Sequence, residues 1–139
     1  MTTAIFADTS YLIALIDRRD HLHPHAVELA ATLGSRTIVT TELVLIEWLN
    51  AFSRPGPLSR DAVLSAYHAL ARDRQVEVVN QSQRLFRAAL IHFSRHSDKA
   101  WSLTDCTSFV VMQQRGIRDA LTHDRHFVQA GFRALLRQG

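Results

Sequence analysis

The sequence predicts an α/β fold, a mostly parallel sheet of about five strands between two layers of helices (α/β/α), in a single domain over residues 1–139. Three observations predict it. Short β-branched and aromatic runs alternate with segments of helical period along the whole chain. Helix ends carry their own punctuation, with Ser, Thr or Asp before the start and Gly after the end. The length, 139 residues at 47% hydrophobic with only eight glycines and prolines, suits one ordinary core and excludes disorder and collagen-like repeats.

The elements follow in order. Residues 3–8 (Thr-Ala-Ile-Phe-Ala-Asp) read as a strand ending at an aspartate, and Tyr11 to Ile16 as a helix with Asp8, Thr9 or Ser10 as N-cap. Pro24 suits a first helical turn, so 25–33 is a second helix closed by Gly34. Residues 36–41 form a buried strand, and Leu43 to Phe52 a helix. Arg-Pro-Gly-Pro at 54–57 is a turn, after which Ser59 caps a helix to Arg72. Gln75 to Val79 is the third strand. Leu85, Phe86, Ala89, Leu90 and Phe93 then trace one stripe of an amphipathic helix. Ser102-Leu103-Thr104-Asp105 has the form of a capping box opening a helix to Arg115, which Gly116 ends. Arg118 to Thr122 is the fourth strand, Arg125 to Ala130 a short helix closed by Gly131, and Phe132 to Leu136 a last edge strand.

Composition narrows the function. No apolar run approaches the ~20 residues of a membrane span, and the N-terminus lacks the pattern of a signal peptide, so a cytoplasmic protein without membrane contact is expected. Cys106 is the only cysteine, which rules out an internal disulfide. The net charge of +3 comes almost wholly from arginine, Lys99 being the sole lysine. Arginine suits phosphate recognition, but these are scattered along the chain, and codon composition is the better account of them.

Four acids carry the chemistry. In a parallel sheet with right-handed crossovers the C-terminal strand ends share one edge, where such sheets bind ligands. Asp8 ends the first strand, Asp124 ends the fourth, and Asp105 lies in the first turn of a helix. Glu47 is flanked by Leu43, Val44, Asn50 and Ala51, which places it on a mostly apolar, core-facing side. Each acid also has an ordinary use: Asp8 and Asp124 as caps, Asp105 in its capping box, Glu47 as an arginine's partner or a partly exposed helix residue. Their combination points further, because crowded carboxylates persist as anions only around a cation, and an all-oxygen donor set favours Mg²⁺ or Mn²⁺ over zinc.

Other candidates are weaker. His21, His23 and His25 alternate around Pro24 without a second ligand pair and read as a solvated loop and helix start. His123 and His126 flank Asp124, where surface positions and substrate contact are equally open. Glu42 suits a helix N-terminus, and whether it assists Glu47 stays open. Cys106 lacks an identifiable base, and Trp48 and Trp101 read as core.

The sequence resembles the PIN-domain family, and within it the VapC-type toxins of bacterial toxin–antitoxin pairs, over nearly its whole length. The resemblance rests on Asp8-Thr9-Ser10, on Thr40-Thr41 with Glu47, on Ser102 through Phe109, and on Leu121 through Phe127 with Ala130-Gly131-Phe132. The last two segments are the most specific. It implies a Mg²⁺- or Mn²⁺-dependent ribonuclease whose site acids are Asp8, Glu47, Asp105 and Asp124, with Ser10 similar to the hydroxyl residue that supports the first aspartate. It also implies an RNA substrate, a small cognate antitoxin and a homodimer. The alternatives are a housekeeping RNA-processing PIN nuclease and a non-catalytic RNA-binding or interaction module. A receiver-type phosphoacceptor fits poorly, because Lys99 precedes a helix. A haloacid-dehalogenase-like phosphatase would want an aspartate where Ser10 stands.

Overall fold

The computed structural model describes residues 4–137. Five strands form one parallel sheet in the order β3-β2-β1-β4-β5. They are β1 (Ile5–Ala7), β2 (Ile38–Thr41), β3 (Val76–Val79), β4 (Asp119–Leu121) and β5 (Arg133–Ala134). Seven helices connect them: α1 (Thr9–Ile16), α2 (His23–Thr32), α3 (Glu42–Asn50), α4 (Arg60–Arg72), α5 (Gln83–Arg95), α6 (Leu103–Arg115) and α7 (Arg125–Gln129). The chain steps outward from β1 to β3, then returns to the other side of β1 for β4. Right-handed crossovers therefore put α1–α4 on one face and α5–α7 on the other. The packing agrees, with α1 against α2 and α3, α5 against α6, and α6 against α7.

Burial follows this layering. Ile5, Phe6 and Ala7 of the central strand are wholly buried, as expected for a strand covered on both faces. Phe6, Phe109 and Phe127 interlock beneath α6 and α7, with ring centroids 6.2 and 5.0 Å apart. The edge strand β3 is half-buried. Ser59, Ser82 and Ser102 cap their helices through side-chain oxygens, and Gly116 ends α6 at φ 66°, a conformation that favours glycine.

Several boundaries differ from expectation. Thr3 lies outside the described residues, and β2 starts at Ile38 rather than at residue 36. The second helix starts at His23 because Pro24 occupies its first turn, and α1 starts at Thr9 with Asp8 as N-cap. The last strand stops at Ala134, and Leu135–Arg137 form a 3₁₀ turn instead of continuing to Leu136. The cause is local. Leu136 N–H donates to Thr122 O at 3.0 Å and Arg137 Nη1 to His123 O at 2.9 Å, which draws the chain over the end of β4.

Candidate active site

Where the chain jumps from one side of β1 to the other, the C-terminal ends of β1 and β4 open a crevice, the usual ligand position of an open α/β sheet. Asp8 and the Thr122-His123-Asp124 segment emerge there side by side, joined by Asp8 N–H to Leu121 O at 3.1 Å. Helix α6 runs back from the same edge towards β4, so its first turn delivers Asp105 to the crevice.

The carboxylates are fixed by hydrogen bonds. Asp8 is 8% exposed, and its Oδ2 accepts from the Thr122 hydroxyl at 2.7 Å. Asp105 completes the capping box, accepting from Ser102 N–H at 3.0 Å while its own N–H donates to Ser102 Oγ at 2.9 Å. Asp124 caps α7, with His126 N–H donating to its Oδ1 at 2.8 Å. The His126 ring lies between the two, its Nδ1 at 3.1 Å from Asp105 Oδ2 and 3.4 Å from Asp124 Oδ1. Among the described residues, Asp105, Asp124 and His126 form a group whose ligand atoms all lie within 4.8 Å of one another. Capping and site-building are thus performed by the same atoms.

A polarised hydroxyl chain supports Asp8. With Asp8 ionised, Thr122 gives its single proton to Asp8, and Asp124 N–H donates to Thr122 Oγ1 at 3.0 Å. Ser10 Oγ, 3.2 Å from Thr122 Oγ1, must then be the donor of that pair, and it accepts from His123 N–H at 3.0 Å. Ser10 therefore reaches Asp8 through Thr122. Thr122 was legible only as part of a motif; its position one residue past a strand beside Asp8 is what gives it this role.

Glu47 stands apart from the expectation of a core-facing acid. It is exposed, and its Oε1 accepts from the Thr9 hydroxyl at 2.8 Å. The physical reason is helix phase. Val44, Leu45 and Trp48 bury their side chains, while Ile46 is 52% exposed, so apolar neighbours did not mark the inner face of α3. The structure thus brings Asp8, Asp105 and Asp124 together and ties Glu47 to their rim through the residue after Asp8. Glu42 is engaged elsewhere, accepting from Gln81 N–H at 2.5 Å.

Electrostatics single out Asp8. Burial, reinforced by the like charges of Asp105 and Asp124, pushes its carboxyl from an ordinary 3.8 up to about 7, against the lowering hydrogen bonds from Thr122 and Thr9. A buried acid facing two others is a donor set short of positive charge, and oxygen ligands with one imidazole fit a hard to borderline divalent cation. Cys106 is buried, and both burial and Asp105 push its thiol up, which opposes thiolate chemistry. In the histidine-rich loop, His23 Nδ1 pairs with Ala14 O at 2.7 Å, a structural use.

This crevice belongs to a known class. The PIN-domain family model matches residues 5–133, and the chain is a member of that family. It is similar to the 23S rRNA-specific endonuclease VapC20 of two Mycobacterium tuberculosis strains, CDC 1551 / Oshkosh and ATCC 25618 / H37Rv. To each it is 32% identical over 128 residues, 92% of this chain and 95% of the relative. The crystal structure of Mycobacterium tuberculosis VapC20, described as a sarcin–ricin loop cleaving toxin, superposes with a TM-score of 0.81 at the same identity and coverage.

Proposed function

We propose that the chain is a divalent-metal-dependent endoribonuclease, the toxin of a type II toxin–antitoxin pair, with 23S rRNA as the first substrate to test. The observation that carries this reading is the approach of Asp105, Asp124 and His126 to within 4.8 Å of one another at the switch-point crevice, beside a buried Asp8 whose ionisation burial and the two like charges oppose. These three acids hold Mg²⁺ or Mn²⁺, with Glu47 acting from the rim directly or through water. The ion supplies a lowered water pKa and charge neutralisation for in-line attack on a phosphodiester. The chain's own part is positional. Thr122 and Ser10 aim Asp8, the capping box aims Asp105, and α7 aims Asp124. Arg125, exposed beside Asp124, pairs with substrate phosphate, so RNA binding weakens as salt rises.

Two surfaces support the partners. An apolar cleft of about 310 Å³ is lined by Leu12, Leu15 and Ile16 of α1, Trp48 of α3 and Leu70 of α4. It accepts an antitoxin helix against α1, α3 and α4. On the other face of the sheet, Phe86, Leu90 and Phe93 of α5 are 43, 40 and 47% exposed along one stripe and supply the homodimer contact.

The deciding experiment is sequencing of RNA 5′ ends after induction of the chain alone in the cytoplasm, with an Asp8→Asn control. Discrete new ends in rRNA, absent from the control, are expected, together with growth arrest relieved by the neighbouring small open reading frame. Identical ends in both proteins would refute the assignment. Cleavage without growth arrest would instead favour housekeeping RNA processing.

A further inference from the structure

His126 has the geometry of a ligand rather than of a neighbour. Its backbone N–H donates to Asp124 Oδ1 at 2.8 Å, which holds that carboxylate against the main chain that carries the ring at the start of α7. The ring then turns Nδ1, not an apolar edge, into the space between the two carboxylates, at 3.1 Å from one and 3.4 Å from the other. Adjacent ligands of an octahedral ion with bonds of about 2.1 Å are separated by about 3 Å. Nδ1 therefore already stands near ligand spacing from both carboxylates, and all three groups bring ligand atoms within 4.8 Å of one another. The ring is 22% exposed, which leaves it little freedom to swing away.

We infer that His126 Nδ1 is a direct ligand of the divalent ion, making the centre a mixed carboxylate–imidazole site that favours Mn²⁺ over Mg²⁺. This rests on the metal-dependent nuclease reading and adds a nitrogen donor to it. Mg²⁺ is a hard ion that keeps oxygen and water ligands, whereas later first-row divalent ions gain from imidazole nitrogen. In the ligating form the ring carries its proton on Nε2, and Nδ1 exchanges its contact with Asp105 for one with the ion. The Asp105 carboxylate remains fixed by Ser102 N–H, so the site keeps its shape through the exchange.

The test uses the full chain loaded with Mn²⁺ and pulsed electron paramagnetic resonance, which detects a nitrogen nucleus bonded to the ion independently of RNA cleavage. Wild-type protein should show ¹⁴N modulation that disappears in His126→Gln. Calorimetric titrations should show the ratio of Mn²⁺ to Mg²⁺ affinity falling about tenfold in that variant. Circular dichroism and the urea midpoint confirm that the variant is folded, and His126→Asn serves as a second replacement if it is not. Mn²⁺ bound without ¹⁴N modulation, or modulation that survives the substitution, overturns the ligand assignment while leaving the nuclease reading standing. Failure of wild-type protein to bind Mn²⁺ or Mg²⁺ at all overturns both.

Discussion

The charge imbalance at Asp8 has a measurable consequence for folding. Its carboxyl titrates near 7 in the folded chain against 3.8 when ordinary, so the folded state holds the proton more tightly than the unfolded one. This contribution is fully present below pH 3.8, is lost as pH rises towards 7, and stays lost above. At about 1.4 kcal/mol per pH unit the whole loss is about 4 kcal/mol, of which about 3 kcal/mol falls between pH 5 and pH 8. Asp8→Asn keeps a side-chain oxygen for Thr122 and removes the charge, so its stability lacks this slope. The assay is urea unfolding in EDTA at the two pH values, read by the fluorescence of the buried Trp48 and Trp101. Every other ionisable group is common to both proteins, so the quantity is the difference between them. The variant should gain on wild type by about 1–2 M in urea midpoint on going from pH 5 to pH 8. Saturating Mn²⁺ should then recover about 3 kcal/mol for wild type at 100 times Kd, and less for the variant. A pH-independent difference, or a variant less stable than wild type at pH 8, would refute the argument that burial and like charge strain this site.

Three further outcomes follow from named contacts. Thr122→Val removes the donor to Asp8 and the acceptor of Asp124 N–H. A loss of about 1–3 kcal/mol in urea unfolding and weaker Mn²⁺ binding by calorimetry are expected. Phe109→Ala removes the wholly buried ring that packs edge-on against Phe127 and should lower stability by about 3–5 kcal/mol, read by thermal or urea unfolding. Leu90→Arg on the exposed stripe of α5 should convert a dimer to a 15.7 kDa monomer in light scattering without loss of fold; a wild-type monomer at micromolar concentration would refute that contact.

Much of this protein is written in local sequence. The alternation of elements, the serine caps at 59 and 102, and the glycine that ends α6 are properties of neighbouring residues, and each holds in the folded chain. The family membership, too, follows from motifs within a few residues of one another. The site was legible as far as its acids could be placed on strand ends and a helix start, because the topology of a parallel sheet then gathers those ends by itself. What lay beyond was decided by contacts between residues far apart in the chain. Only packing fixed the phase of α3, burying Trp48 and turning Glu47 outward, since an apolar run satisfies either phase locally. Only the return of the chain over β4 shortened the last strand, and only the meeting of β1 with β4 made Thr122 the partner of Asp8, 114 positions away. Buriedness and the sum of three charges are properties of a place in space, which is why the strain on Asp8 belongs to the tertiary structure and not to the sequence around it.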